Sequence, residues 1–191
     1  MNAASFLFYC VIVTFTPGPT NIIILSTVQR YGTRKAMEYT YGATIAFGLL
    51  LALSALLNSL LMTVIPKLLI VMQVIGSLYM IYLAYQVCKK DAGKKSVELP
   101  ATFRSGFYMQ FLNPKVVLFT MTVIPSFILP HYVAFPEVTA GVLVITVIGF
   151  AAFLTWVLFG TIFKAFLRRH TKTVNVLMAL FLCYSAVMIW M

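Results

Sequence analysis

Acidic residues are nearly absent from this chain of 191 residues. The four that it has are Glu38, Asp91, Glu98 and Glu137. None lies well inside an apolar segment, so the chain lacks the membrane-embedded carboxylate that proton relays usually use. Glu38 stands closest to that role, at the edge of an apolar segment. We expect it to pair with Arg34 or Lys35 at the membrane interface instead.

Cysteine and histidine are also scarce. Cys10, Cys88 and Cys183 are far apart in the sequence, so they form neither a disulfide framework nor a metal-binding spacing, and we expect them to pack as small apolar residues. His131 and His170 are predicted to lie on opposite sides of a membrane. With no carboxylate between them, there is no nucleophile–base pair or metal cluster of the kind an enzyme needs. The sequence therefore predicts that the chain is not an enzyme and holds no metal or other cofactor.

Apolar residues dominate what is present. The chain is 62% hydrophobic and only 9% charged, against about 25% charged in soluble domains, so we predict an integral membrane protein. Runs of about 20 apolar residues can cross a bilayer. Six qualify, at roughly 4–28, 38–62, 67–88, 106–129, 137–163 and 173–190. The N-terminus lacks the positive region of a cleaved signal peptide.

The basic residues set the predicted orientation. Twelve of the 14 lysines and arginines lie in the connections after the first, third and fifth segments, and only Lys67 lies in a connection on the other side. This pattern places the three basic connections in the cytoplasm and both termini outside, and it explains the net charge of +10 without nucleic acid. We predict one transmembrane domain over 1–191, with halves of about 1–90 and 104–191 and a basic linker at 89–105. Three spans per half make the halves inverted repeats, the layout of many secondary transporters.

Two proline motifs interrupt the first segment of each half. Thr16-Pro17-Gly18-Pro19 lies in the first, and Asn113-Pro114-Lys115 in the fourth. Proline removes a backbone donor and clashes with the carbonyl four residues earlier, which predicts broken helices. The carbonyls predicted to be freed are those of Val13, Phe15 and Gln110. Broken backbone at membrane depth is tolerated only where it is buried in protein or lines a cavity.

The breaks also predict a site. Thr16-Pro17 and Asn113-Pro114 both read as a helix N-cap followed by proline at the first helical position, and a helix N-terminus attracts anions. Lys115 adds a positive charge, and Asn21 adds an amide. A zwitterionic amino acid would suit this arrangement, with its ammonium on freed carbonyls. The predicted substrate-binding residues are Thr16, Pro17, Gly18, Pro19, Thr20, Asn21, Asn113, Pro114 and Lys115. Two plainer interpretations stay open: prolines that only kink their helices, and a Lys115 that reaches the cytoplasmic interface.

Taken together, these residues resemble the LysE/RhtB superfamily of bacterial amino acid exporters over nearly the whole chain. Its pattern is matched by Thr16-Pro17-Gly18-Pro19, Gly32-Thr33-Arg34, Gly42, Gly76, Tyr79, Leu83, Phe103, Gly106, Asn113-Pro114-Lys115, Phe119 and Pro125-Ser126-Phe127. The segment Phe127-Ile128-Leu129-Pro130 and the short length look most like the cysteine/O-acetylserine exporter branch. The chain departs from the pattern at Thr20, where many members have Asn or Asp, and at Ala36, where glycine is frequent.

The resemblance implies six spans in a bacterial inner membrane and export of amino acids or their derivatives, driven by the proton-motive force. Without a membrane carboxylate, Lys115 or the substrate's own amine would carry a coupled proton. We predict alternating access, with one half rocking against the other around the paired breaks. The competing hypothesis is an accessory membrane subunit that transports nothing. The direction of transport, the coupling ion and the oligomeric state, a homo-oligomer included, are left open by the residues alone.

Overall fold

The computed structural model describes residues 3–89, 102–188 and 190 of the chain. Most of the predicted linker at 89–105 therefore lies outside the described residues. The secondary structure of the described part is entirely helical, which confirms the predicted all-α class. Its helices are α1 (Ala3–Phe15), α2 (Pro19–Tyr31), α3 (Thr33–Leu56), α4 (Asn58–Lys89), α5 (Phe103–Leu112), α6 (Pro114–Val123, continued by a π-helical turn over Ile124–Ile128), α7 (Phe135–Ile162), α8 (Lys164–Arg169) and α9 (Thr171–Met188).

Both predicted breaks are present. Helices α1 and α2 are bent by 48° at the first proline motif, and α5 and α6 by 68° at the second. In the described residues, α3, α7 and α9 are each long and apolar enough to cross a membrane, and each bent pair passes the same test as one broken span. The predicted third span corresponds to α4, whose 32 residues extend about 48 Å at a rise of about 1.5 Å per residue.

One predicted boundary is wrong. The second and third spans were expected at 38–62 and 67–88, on either side of Pro66, but α3 ends at Leu56 and α4 begins at Asn58. Pro66 lies inside α4. The break at Leu57 falls within an apolar run and has neither proline nor glycine. No helix-breaking residue in the sequence therefore marks it.

Small residues bring two helices into direct backbone contact. A Cβ atom on Gly42 would lie 2.0 Å from the Phe103 carbonyl oxygen, and one on Gly106 would lie 2.1 Å from the Tyr39 carbonyl oxygen. Glycine at both positions therefore lets α3 and α5 cross at their backbones, as small residues do in membrane helix pairs. Elsewhere, α7 packs against α1, α2 and α3, and α4 packs along α9.

The two halves of the first span differ in burial. Nine of the 13 residues of α2 are buried, and five of them belong to an apolar cluster that includes Tyr39, Leu83 and Val157. Only Phe6 and Cys10 are buried in α1, within a second cluster around Phe47 and Phe119. The first proline break therefore joins a helix of one cluster to a helix of the other.

Candidate functional site

The first break consists of three non-helical residues, 16–18, between α1 and α2. The prediction that Thr16 caps the second helix is wrong. Its N–H donates to the Ile12 carbonyl at 3.0 Å and its hydroxyl donates to the same oxygen, so Thr16 extends the last turn of α1. Gly18 has extended backbone angles and stands at the N-cap of α2, with Pro19 as the first helical residue.

Side chains satisfy several carbonyls that the first break leaves without helical partners. The Trp156 indole N–H donates to the Phe15 carbonyl at 3.2 Å. Asn21 reaches back from the first turn of α2, and its Nδ2 donates to the carbonyls of Thr16 at 3.0 Å and Thr14 at 3.3 Å. The freed Phe15 carbonyl was predicted, but its partner on α7 was not, because Trp156 lies 141 residues away in the sequence.

The second break is a single residue, Asn113, between α5 and α6. Its carbonyl accepts hydrogen bonds at 3.0 Å from the N–H groups of Val116 and Val117, and Pro114 is the first helical residue. The N-cap position of Asn113 is therefore confirmed. Its side chain makes no capping bond. Instead, Asn113 Nδ2 donates to the Thr20 hydroxyl at 2.9 Å.

The structure brings the two breaks together through two contacts. At the first, Thr20 Oγ1 accepts from Asn113 Nδ2 and from Gln110 Nε2, the latter at 3.0 Å. At the second, Lys115 Nζ donates to the Thr16 carbonyl at 2.8 Å. Lys115 therefore points into the first break and does not reach for the cytoplasmic interface in this structure.

Glycine allows the approach of Lys115. A Cβ atom on Gly18 would lie 3.1 Å from Lys115 Cδ and 3.4 Å from its Nζ. The ammonium also lies at the C-terminal end of α1, where the helix dipole favours a cation. The first break thus presents the Thr16 carbonyl oxygen to Lys115.

The remaining predicted site residues surround this contact. Pro19 and Pro114 are buried, and Pro17 is half-buried beside Thr16. A Cβ atom on Gly76 of α4 would lie 2.2 Å from Pro114 Cγ, so α4 packs directly onto the second break. Sequence reasoning missed Gln110 and Trp156. Gln110 is fully buried, and its position as a polar residue in an apolar segment was a usable signal.

A small cavity and a larger groove meet at the breaks. The cavity leaves about 30 Å³ for the centres of water-sized molecules, room for roughly two waters. It is lined by Val13, Thr14, Gly18, Thr20, Asn21, Phe47, Asn113, Lys115, Val116, Phe119 and Phe153. The groove, of about 540 Å³, runs between α1, α6 and α9, and both spaces touch Val13, Lys115 and Phe119. Lys115 is the only charged residue that lines either space among the described residues.

Glu38 pairs with a basic neighbour on its own helix. Lys35 Nζ lies 2.7 Å from Glu38 Oε2, which confirms the pairing expected for Glu38. No group of three potential metal ligands is found in the part of the chain that the structure describes.

Comparison with known proteins extends over nearly the full chain. The family model described as LysE type translocator matches residues 11–191. A cysteine/O-acetylserine efflux protein of Salmonella paratyphi A is 29% identical over 191 residues, covering 100% of this chain and 98% of the relative. The protein of that name in Escherichia coli K12 is 28% identical over 188 residues, covering 98% and 96%. No solved structure matches the chain at a significant level. The chain belongs to the LysE type translocator family, and is therefore a membrane transporter and not an enzyme.

Proposed function

We propose that this protein exports amino acids or small amino acid derivatives across the bacterial inner membrane by alternating access, with the substrate bound between the two proline breaks. The observation that carries the proposal is Lys115. It is a lysine within a broken apolar span, held on a carbonyl of the opposite half, where a cavity and an open groove meet. Ionisable residues inside transmembrane segments generally mark substrate or ion pathways.

A carboxylate is the ligand that this lysine fits best. The Thr16 carbonyl is a neutral acceptor, whereas hydrogen bonds between two charged groups are shorter and stronger. A substrate carboxylate arriving through the groove can therefore replace that carbonyl on Lys115 Nζ. The N-terminus of α6 lies beside Lys115 and favours the same negative charge. Amino acids supply such a carboxylate, as do the cysteine and O-acetylserine named for the relatives.

The packing of the two halves supports a rocking mechanism. Helix α5 packs on α3 as α1 packs on α7, and α6 contacts α3 as α2 contacts α7, while α4 and α9 pack on each other. This exchange of partners is the pattern that a two-fold relation between inverted halves would produce. We infer six spans, with α4 as the third, and both termini in the periplasm. A homo-oligomer is compatible with this arrangement.

The two faces of the site differ in openness. Around α2 the packing is dense, while the groove between α1, α6 and α9 is lined by the C-terminal half of α9, up to Met188. With the C-terminus in the periplasm, we infer that the groove faces outward. The cavity beside the breaks has room for roughly two waters, too little for a whole amino acid, so a bound substrate must extend into the groove.

Few groups of this chain can carry a coupled proton. Glu38 is paired at the surface. We therefore assign any proton movement to Lys115 or to the substrate amine. Dependence of export on a pH gradient across proteoliposomes would test this assignment.

The deciding experiment is counterflow in proteoliposomes with cysteine, O-acetylserine and a panel of other amino acids. We expect saturable exchange by the wild type. In Lys115→Met, flux should fall by at least about tenfold, because a hydrogen bond to a charged group is worth about 1.5–3 kcal/mol. The control is Lys172→Met, which removes an exposed lysine outside the site. Wild-type flux in Lys115→Met at equal expression would reject the site. No exchange of any probe by the wild type would favour the accessory subunit.

A further inference from the structure

Two residues that line the cavity each carry a buried amide oxygen that no described group bonds. Asn21 is 3% exposed and Asn113 is 2% exposed. Among the described residues, neither Asn21 Oδ1 nor Asn113 Oδ1 accepts a hydrogen bond, and both residues line the cavity beside Lys115. Buried acceptors left unpaired are costly and rare in folded proteins, and each calls for a specific explanation.

The hydrogen bonds of the amide nitrogens fix these orientations. Asn21 Nδ2 donates to two backbone carbonyls, which can only accept, so its oxygen must point the other way. Asn113 Nδ2 donates to Thr20 Oγ1, and the Thr20 hydroxyl donates its one proton to Gln110 Oε1 at 3.4 Å, so no Thr20 proton is left for the Asn113 oxygen. The positions left open in the cavity are therefore acceptors, one from each proline break.

We propose that the oxygens of Asn21 and Asn113 bind the protonated α-amine of the transported substrate. This inference rests on the function proposed above, in which Lys115 binds the carboxylate. An ammonium group has three donors and no acceptor, which matches two unpaired oxygens. Its size is close to that of a water molecule, so the existing cavity can hold it while the rest of the substrate extends into the groove.

The arrangement orients the whole molecule. Lys115 stands where the cavity meets the groove, so a carboxylate there leaves the amine on the cavity side and the side chain on the groove side. Tyr9, Tyr184 and Ser185 line the groove and carry no charge. The substrate class that fits is a neutral α-amino acid with a free amine. N-acylated amino acids and α-hydroxy acids lack the ammonium and should be rejected.

The pairing of breaks gives this subsite a mechanical role. One acceptor belongs to Asn21, in the first turn of α2 just after the first break. The other belongs to Asn113, the residue that forms the second break. An ammonium that donates to both would link the two halves of the chain at the centre of the proposed rocking motion. A ligand that lacks the amine would contact Lys115 alone and leave both oxygens unpaired.

The test measures binding separately from transport. Purified wild-type protein in detergent is heated with increasing concentrations of L-cysteine, of 3-mercaptolactate, in which a hydroxyl replaces the amine, or of N-acetylcysteine. Ligands that bind the folded state raise Tm with concentration. We expect the apparent Kd of both analogues to lie at least about tenfold above that of cysteine, because a site built to bond an N–H rejects ligands that lack it.

Two matched variants test whether Asn113 causes the selectivity for the amine. Asn113→Leu removes the acceptor while keeping the side-chain volume, and should abolish the selectivity between cysteine and 3-mercaptolactate. Gln110→Met removes a buried amide that also bonds Thr20 but does not line the cavity, and should keep the selectivity. If Asn113→Leu does not fold, Asn113→Asp restores an acceptor with a negative charge and should widen the preference for cysteine.

The outcomes separate this proposal from the proposed function. Equal stabilisation of the wild type by cysteine and its analogues, or stabilisation by none of them, would overturn the amine subsite, even if counterflow of cysteine succeeds. Selective stabilisation by cysteine without any counterflow would support the subsite and reject transport. Selectivity that survives in Asn113→Leu as strongly as in Gln110→Met would also overturn it.

Discussion

Both proline breaks interrupt an apolar span, but they differ in length, in bend angle and in the hydrogen-bonding groups that they offer. The first uses three non-helical residues and bends its span by 48°, whereas the second uses Asn113 alone and bends by 68°. The first offers carbonyl oxygens from the end of α1, and the second offers donors, the Asn113 amide and the Lys115 ammonium. Broken helices at membrane depth need partners, and here each break supplies what the other lacks.

Their surroundings differ as well. At the second break, Gly76 of α4 lies against the rigid ring of Pro114. At the first, Gly18 lies against the flexible stem of Lys115. The second break is therefore fixed by packing, while the first is fixed mainly by hydrogen bonds. Substitutions at each position can test this contrast.

The largest effect is expected from Gly76→Ala. The added Cβ would lie 2.2 Å from Pro114 Cγ, and a proline ring cannot rotate away. We expect a loss of about 3 kcal/mol, the upper end for an overpacked core, with transport abolished. Thermal unfolding and counterflow would measure both. Gly141→Ala is the control, because its Cβ would meet the flexible Ile128 side chain at 3.1 Å. Equal Tm values for the two variants would show that the second break is not fixed by α4.

An intermediate effect is expected from Thr20→Val, which removes the hydroxyl shared by the breaks. Gln110 Nε2 and Asn113 Nδ2 would both lose their acceptor, at a cost of about 2 kcal/mol for buried donors left unpaired. Thr44→Val is the matched control, because the Thr44 hydroxyl bonds only the Thr40 carbonyl of its own helix. Unfolding in increasing denaturant would compare them. If Thr20→Val is no less stable than Thr44→Val, the hydroxyl does not join the breaks.

The smallest effect on stability is expected from Gly18→Ala. The extended backbone of Gly18 accepts alanine, and the Lys115 stem can move by the few tenths of an ångström required. We expect a loss of about 1 kcal/mol, the lower end for an overpacked site. The displaced ammonium should nevertheless reduce substrate affinity, measured as a raised half-saturation constant in counterflow. A stability loss as large as that of Gly76→Ala would remove the contrast between the breaks.

The helical class and the breaks could be predicted because proline acts through local covalent geometry. The N-cap role of Asn113 was predicted for the same reason. The N-cap role predicted for Thr16 was wrong. Pro17 and Pro19 could each be the first residue of a helix, and the sequence does not show which of them begins α2. The boundary at Leu57 was also missed, because nothing in the local sequence marks it.

The bonds that assemble the site join residues far apart in the chain. Thr20 meets Asn113 across 93 residues, and Trp156 meets Phe15 across 141. Gln110 could have been noticed as a buried polar residue, but its acceptor could not have been named. Such pairings depend on how α3, α5 and α7 cross, which glycines such as Gly42 and Gly106 permit but do not by themselves specify.

The sequence by itself determined that this chain is an apolar, helical membrane protein with two interrupted spans and a lysine beside one of them, because hydrophobicity and proline chemistry act locally. Only the tertiary structure decided that Lys115 rests on the Thr16 carbonyl, that Thr20 joins the breaks, and that Asn21 and Asn113 line one cavity. Those outcomes depend on the relative placement of helices that are distant in sequence, and packing fixes that placement.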